Sequence, residues 1–421
     1  MNDQAHNGKQ PKGGTWQRTL TILFLSQLTT AAGFSSVFPF LPLYVKSLGS
    51  SLGWSVEILS GLVYSAQALT MMVASPFWGA LADRYGRKLM VVRASIGGAA
   101  LLLLMAFVRS GEQLVLLRAV QGLVTGSVAA NSALVAAQVP RTRMGYAMGM
   151  LQVGLGAGVA LGPLIGGAVA DAFGYAASFY VTSGLLLISG LLVFFGVQER
   201  FDATEALARR AAGFLSTWRR VLSTPGVSTS YLLQFLSQFG RMMFVPIAPF
   251  FVEELMSGSS GVNSVTGLII GLGAGATTLT SVYFGRLGDR IGFRVLVSVC
   301  AVLTGLLYLP QSIVNAPWQL LGLSLLVGVA MGGVLPLISA LLANYSQDGG
   351  EGALYGLDNA VRSGARAISS MVVTGVMVAV GIRRTFLLTG SLFILTGVLA
   401  HFGLPDVPVS ISPKADTPAI E

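Results

Sequence analysis

The chain of 421 residues is 53% hydrophobic and only 10% charged, with a mean hydropathy of +0.73. Soluble proteins carry about 25% charged residues, so a soluble globular domain is excluded and water is not the main solvent of this chain. The formal net charge of +9 reflects 26 Lys and Arg against 17 Asp and Glu. Because the basic residues concentrate on one side of the apolar stretches, the charge is a topology signal, and no nucleic acid partner is expected.

Twelve apolar stretches follow one another along the chain, each long enough for a helix to cross about 30 Å of hydrocarbon. The first stretch is too long for a signal-peptide core and has no small-residue cleavage pattern behind it, so it counts as helix 1. The sequence therefore predicts an all-α membrane protein with 12 transmembrane helices, near 17–45, 56–82, 89–108, 113–137, 144–170, 176–197, 226–252, 264–288, 294–314, 317–344, 353–380 and 385–403.

The distribution of Lys and Arg predicts the orientation and the domain boundaries. Only four basic residues fall on the outer side, so both termini are predicted to be cytoplasmic; these four are Lys46, Arg109, Arg383 and Arg384. Glu57, Glu253 and Glu254 are expected to form a solvated outer rim. The predicted regions are a cytoplasmic N-terminal tail (1–16), a six-helix half (17–198), a cytoplasmic linker (199–225), a second six-helix half (226–403) and a cytoplasmic C-terminal tail (404–421).

The two halves align with each other at an offset of 206 or 207 residues. Gly33 and Pro39 match Gly240 and Pro246, and the register holds as far as Thr182 and Thr389. Further matched positions are Gly86 with Gly292, Gly126 with Gly332, and Gly174 with Gly381. Because each half has six helices, an even number, both halves start on the same side of the membrane. This predicts a parallel repeat about an axis along the membrane normal.

Three segments carry a family resemblance. The loop after helix 2 reads Gly79-Ala-Leu-Ala-Asp83-Arg84-Tyr-Gly86-Arg87-Lys88, with the echo Gly285-Arg-Leu-Gly-Asp289-Arg290-Ile-Gly292 in the second half. Helix 4 contains Leu117-Arg118-Ala-Val-Gln121-Gly122, and helix 5 contains Gly158-Val-Ala-Leu-Gly162-Pro163-Leu-Ile-Gly166-Gly167. In order and spacing these segments resemble the signatures of the major facilitator superfamily, most closely the twelve-helix bacterial multidrug efflux (drug/proton antiporter) group. The resemblance implies two pseudo-symmetric six-helix bundles.

The first and third segments have physical interpretations of their own. In the loop, glycine permits a tight turn, and Asp83 is placed to pair with an arginine or to accept from N–H groups at a helix start, so we interpret this loop and its echo as a conformational-switch motif. The basic residues are equally explained as topological anchors. In helix 5, glycines at every fourth residue make a groove into which another backbone presses, and Pro163 removes one hydrogen bond. Close packing explains this helix too, with the sealing of the two halves as its expected functional consequence.

Charged residues inside the apolar stretches are the candidate coupling site. Four arginines lie there, and each charge near the bilayer centre costs at least about 2.5 to 3.5 kcal/mol, so each requires a cavity or a partner; these are Arg118, Arg241, Arg362 and Arg366. Asp358 lies one turn before Arg362. It is either a proton site or the acidic partner in a structural ion pair with Arg362. The proton-coupling candidates are Arg118, Asp358 and Arg362, and the substrate-cavity candidates are Gln27, Gln121, Gln234, Arg241 and Arg366.

The predicted function is proton-coupled efflux of amphipathic small molecules by alternating access, in the inner membrane of a bacterial cell. Helix 1 has no acidic residue, which argues against a preference for cations, so a carrier of a specific anionic metabolite is the alternative. A non-transporting membrane receptor or a membrane enzyme is the less favoured one. No GxxxxGK[ST] nucleotide loop is present, and Cys300 is the only cysteine. We expect a proton gradient as the energy source, with no cofactor and no metal. We also expect no enzymatic activity, and a monomer in the lipid bilayer.

Overall fold

The computed structural model describes residues 15–140, 143–199, 226–257, 259–344 and 351–404. Within these ranges the chain is helical, with no strand. The predicted tails and most of the linker lie outside the described residues. The helices of the first half are α1 (Thr15–Ser36), α2 (Leu41–Leu48), α3 (Val56–Tyr85), α4 (Arg87–Met105), α5 (Gly111–Val124), α6 (Ser127–Gln138), α7 (Met144–Phe173) and α8 (Tyr175–Gly196). Those of the second half are α9 (Val227–Leu255), α10 (Val262–Ile291), α11 (Phe293–Tyr308) with the 3-10 turn Leu309–Ile313, α12 (Pro317–Met331), α13 (Leu335–Asn344), α14 (Glu351–Val380) and α15 (Ile382–Gly403).

Each of the twelve predicted stretches contains helix, but not all are single helices. By length and composition, the described part of the chain has 10 helices that are able to cross a membrane, or 11 if the bent pair α1 and α2 forms one span. The predicted stretch 113–137 is divided into α5 and α6, of 14 and 12 residues, each too short to count alone. The count of twelve spans therefore requires the divided pair α5 and α6 to cross the membrane together.

The interruptions recur at equivalent places in the two halves. Gly126 separates α5 from α6 with φ of 138°, a conformation that L side chains rarely adopt. Its repeat partner Gly332 follows the last residue of α12, before α13 begins at Leu335. The prediction of a single helix over 113–137 was therefore wrong, whereas Pro317–Leu342 still counts as one membrane span despite the turn after α12, where Gly332 keeps a helical φ of −60°.

Helix lengths repeat at the offset seen in the sequence. Both α3 and α10 have 30 residues and start 206 positions apart (262 − 56), and both α7 and α14 have 30 residues and start 207 apart (351 − 144). Gly86 and Gly292 end the first pair with nearly equal backbone angles, φ 93° and ψ 153° against φ 93° and ψ 140°. Since left-handed φ values favour glycine, these positions explain why the sequence repeat preserves it.

Two helix pairs form the main seams between the halves: α7 with α10, and α3 with α14. We call the side with the start of α1 and the end of α15 the terminal face, and the other side the opposite face. Near the opposite face, a Cβ added at Gly167 would meet the carbonyl oxygen of Asn263, and one added at Gly267 would meet that of Pro163. Toward the terminal face, a Cβ at Gly149 or Gly285 would meet no atom within 4 Å. The two helices therefore converge at the opposite face and separate toward the terminal face.

The regularly spaced glycines of α7 pack against α1 of the same half. A Cβ at Gly158 would meet the Leu28 carbonyl oxygen, and one at Gly166 would meet the Ser36 carbonyl oxygen. A Cβ at Gly162 would likewise meet Ser35 and the backbone of Ala32. The backbone that presses into the predicted groove thus belongs to α1. Within the helix 5 segment that resembles the antiporter motif of the drug/proton exporters, the residues that face α10 of the other half are Ala160, Pro163, Leu164 and Gly167.

We predict that Gly158→Ala lowers the unfolding temperature of the detergent-purified protein, whereas Gly149→Ala on the same helix leaves it near the wild-type value. The new methyl group at position 158 overlaps backbone atoms of α1, which cannot rotate away as a side chain does, and overpacking of this kind costs about 1 to 3 kcal/mol. Equal melting curves for the two variants would show that the contact of α1 with α7 tolerates a side chain.

Candidate functional site

Arg118 of α5 is the most deeply buried charged side chain among the described residues, with 1% of its surface exposed. Its Nη1 donates to Oε1 of Gln121 at 2.9 Å, and its guanidinium lies 6.0 Å from the ring centroid of Tyr64 on α3. Nε and Nη2 have no hydrogen-bond partner among the described residues. Because an arginine does not lose its proton in a protein, this part of the interior keeps a full positive charge.

Gln27 of α1 forms a second buried polar contact in the first half. Its Oε1 accepts from Nδ2 of Asn131 on α6 at 2.7 Å, and both residues are buried. Asn131 was missed by sequence reasoning, although an amide within an apolar stretch is itself a signal, because a buried polar group requires a partner. The contact holds the second part of the divided helix against α1.

Arg362 of α14 joins three helices in the second half. Its Nε lies 2.8 Å from Oδ2 of Asp358, and its Nη2 donates to Oγ of Ser339 on α13 at 2.6 Å. The Gln234 amide on α9, oriented with its oxygen toward Arg362, accepts from Nε at 2.6 Å and from Nη2 at 2.8 Å. The expected ion pair is therefore present, with 31% of the Arg362 side chain and 14% of the Asp358 side chain exposed.

Arg241 of α9 and Arg366 of α14 lie close to this group and are partly buried. Arg241 donates to Oε1 of Gln238 at 3.2 Å, and Arg366 donates to Oγ of Ser363 at 3.0 Å, so both are paired with neutral groups. Arg241 lies within Coulombic range of both Arg362 and Arg366. Of these three guanidinium groups, Arg362 is the one that contacts the Asp358 carboxylate among the described residues.

The substrate-cavity candidates fall into two classes. The three glutamines are buried, and each contacts a polar neighbour of its own half; these are Gln27, Gln121 and Gln234. Arg241 and Arg366 are only partly buried. The four interior arginines against Asp358 give an excess of three positive charges (4 − 1) among the described spans. Positive charge therefore predominates among these five groups.

The described residues include only part of the surroundings of the switch motif. Gly86 forms the junction of α3 and α4, and the amides of Arg87 and Lys88 donate to the carboxylate of Glu199 at 2.9 and 2.8 Å. In the second copy, Gly285 lies within the last turns of α10, and Asp289 and Arg290 are exposed near its end. Gly79, Asp83 and Arg84 fall in the last turns of α3, and their surroundings lie outside the described part. The capping role of Glu199 was not predicted.

An ion pair joins the two halves at the opposite face. Nζ of Lys46 on α2 lies 2.9 Å from both carboxylate oxygens of Glu253 on α9, which joins the first half to the second. Glu254 pairs instead with Arg383 of its own half, at 3.3 Å. Glu253 and Glu254 are thus partly exposed at the rim, with side chains 34% and 47% exposed, and each also has a cationic partner that was not predicted.

The fold and site define a multi-pass α-helical membrane protein, made of two repeated halves around a polar interior. The Major Facilitator Superfamily model matches residues 23–233 and 230–420, and the chain belongs to this family of membrane transporters. It is 35% identical to proteins named Multidrug resistance protein MdtG in Salmonella arizonae and Citrobacter koseri. In each case the match covers 91% of this chain and 94% of the relative.

Two solved structures share the fold. One is the human organic anion transporter MFSD10 (TETRAN), at 20% identity and a TM-score of 0.65, covering 91% of this chain and 99% of that one. The other is a bacterial homolog of the human lysosomal transporter Spinster in an inward-facing and unoccupied conformation. It has 11% identity and a TM-score of 0.74, and the match covers 93% of this chain and 98% of that one. Both support the two-half arrangement.

We predict that Arg362→Gln destabilises the protein by about 1 to 3 kcal/mol, because it leaves the largely buried Asp358 carboxylate without its cation. Asp358→Asn should cost less, since Arg362 keeps its contacts with Gln234 and Ser339. Unfolding temperatures of both single variants and of the double variant measure this, and the double variant should lose less than the sum of the two. Simple additivity would show that the pair contributes no coupling.

Proposed function

We propose that this chain exports amphipathic small molecules from a bacterial cell across the inner membrane, driven by protons, by alternating access. The observation that carries the proposal is the seam of α7 with α10, which is tight at the opposite face and open toward the terminal face. A substrate path between the halves is then closed at one end and reachable from the other. Full-length similarity to relatives named multidrug resistance proteins supports export as the direction.

The orientation and assembly follow from the same proposal. With both termini in the cytoplasm, the terminal face is the side from which an exported compound enters, which agrees with the basic residues on that side. Each half supplies one wall of the path, so a monomer is sufficient for transport. Protons are the proposed second partner, and no bound cofactor is required.

The electropositive interior favours one class of amphipathic substrate. An excess of three positive charges, on Arg118, Arg241, Arg362 and Arg366 against Asp358, attracts anions and repels cations in a medium of low dielectric. Arg241 and Arg366 are only partly buried, so we place the carboxylate or phosphonate group of such a substrate beside them. The same charges support the second candidate function, carriage of a specific anionic metabolite.

Proteoliposomes with an imposed pH gradient test the proposal. Export requires uptake of several chemically different amphipathic compounds into vesicles that hold the protein inside-out, with loss of uptake when the gradient collapses. Counter-flow by a single small organic anion, with no response to apolar compounds, would support the specific carrier instead. No gradient-dependent movement of either class would reject both candidates.

We predict that Arg241→Gln and Arg366→Gln each raise the KM for an amphipathic anion by at least about tenfold, equivalent to about 1.4 kcal/mol of lost charge-assisted binding. The KM for a neutral compound of similar size should change less than twofold. Arg109→Gln, outside the interior, is the matched control. The prediction fails if anionic and neutral substrates lose affinity equally, because that pattern indicates a general packing defect.

We predict that Asp358→Asn removes proton-driven accumulation but keeps substrate exchange without a gradient. Protonation of Asp358 breaks its ion pair with Arg362, so an acid that loads a proton in one state and releases it in the other couples the gradient to movement of the halves. The pH dependence of substrate binding should flatten in the variant. An unchanged pH profile together with proton-driven transport would assign Asp358 a purely structural role.

A further inference from the structure

The N-terminus of α10 has no capping side chain of its own half. Its N-cap residue is Gly261, with φ of 92°, and no side-chain cap is formed there. The cap comes instead from Asp171, near the end of α7 in the other half. Its Oδ2 accepts from the amide of Ser264 at 2.6 Å, and its Oδ1 accepts from the amide and the side chain of Asn263 at 3.3 and 2.7 Å.

These contacts have the chemistry of a helix cap. The first amides of a helix have no partner within the helix, and a capping oxygen normally bonds the second or third of them. Asn263 and Ser264 hold those two positions in α10, since the helix begins at Val262. A carboxylate is also favoured there by the partial positive charge of the helix start. Asp171 therefore does for α10 what a local Ser or Asp does for other helices.

The repeat shows that this arrangement is particular to the second half. The partner helix α3 begins after Ser55, whose Oγ accepts from the amide of Ile58 at 3.3 Å. Ser55 aligns with Gly261 at the offset of 206 residues (261 − 55). The first half thus caps its helix locally, while the second half depends on the first half for the equivalent contact.

We propose that Asp171 is a latch residue: its carboxylate caps α10 while the opposite face is closed, and the cap is lost when that face opens. This rests on the proposed alternating access, because only a cycle that separates the halves at this face breaks the contact. When the face opens, the amides of Asn263 and Ser264 are released, and Gly261 has no side chain that could cap them in place of Asp171. Asp171 therefore lowers the free energy of the closed state relative to the open one.

Neighbouring contacts point in the same direction and supply a control. Gly167 and Gly267 bring the backbones of α7 and α10 together one turn from Asp171 and Asn263, so the capping distance is fixed by close packing. Lys46 and Glu253 also join the halves, but their side chains are 52% and 34% exposed, and such pairs contribute little. Glu254 lies at the same face but pairs within its own half, so its removal should leave the equilibrium unchanged.

Distance measurements between spin labels on the full-length protein test the latch. In a Cys300→Ser background, one label pair is placed at Leu52 and Ile313, exposed residues of the two halves at the opposite face. A second pair at Tyr146 and Tyr283, exposed near the terminal face, reports the reverse movement. Because loss of a cap corresponds to a change of about 2- to 30-fold in an equilibrium constant, Asp171→Ala should raise the open-to-closed ratio at the opposite face by that factor.

Conservative variants separate a latch from a folding defect. Asp171→Asn should have a smaller effect than Asp171→Ala, because asparagine also caps helices, and Asn263→Ala, which keeps the backbone amide, should be intermediate. Glu254→Gln is the matched control and should give the wild-type distances. Wild-type distance distributions in Asp171→Ala, or the same shift in Glu254→Gln, would overturn the proposal. The distances are measured without substrate, so the latch is tested even if no proton-driven transport is found.

Discussion

The contact of α7 with two other backbones is the constraint on which the rest of the structure depends. One row of glycines lets α1 of the same half approach α7, and Gly167 with Pro163 lets α10 of the other half approach from another side. In a bilayer, helix association relies on such close packing, because lipid tails are as apolar as the side chains they would replace. α7 is therefore both a fixed part of one half and the surface on which the other half moves. Its convergence with α10 at one face sets which end of the path is closed.

The interior charges are distributed unequally between the halves, although the helices repeat. The first half has Arg118, buried beside Gln121, while the second half has Arg241, Arg362 and Arg366 around Asp358. Burial of an arginine without a carboxylate is costly, and a protein keeps such a group where the charge is used. The helices that repeat in both halves thus account for the movement. The second half contributes most of the charged side chains that would interact with a substrate or a proton.

The sequence was sufficient for most of the spans, for the repeat and for the Asp358 ion pair, because these depend on apolar length, on spacing and on a neighbour one turn away. The sequence did not predict contacts between residues that are far apart in the chain. Glu253 looked solvated because Lys46 is 207 residues away, and Asp171 drew no attention because its partners are 92 and 93 residues away. The division of α5 from α6 was also missed, since glycine is frequent in membrane helices and only its φ angle reveals the break.

A transporter that alternates between two states requires contacts of limited strength at each face. If closure of the opposite face were favoured by more than a few kcal/mol, neither a proton nor a substrate could reverse it, because each shifts the equilibrium only by its difference in affinity for the two states. Exposed carboxylates at this face, on Glu253 and Asp171, meet this requirement, since water competes for them and salt screens them. The glycine contacts provide shape complementarity between the helices without any charge. They therefore guide the closure, while the free energy of closure stays small enough for proton binding to reverse it.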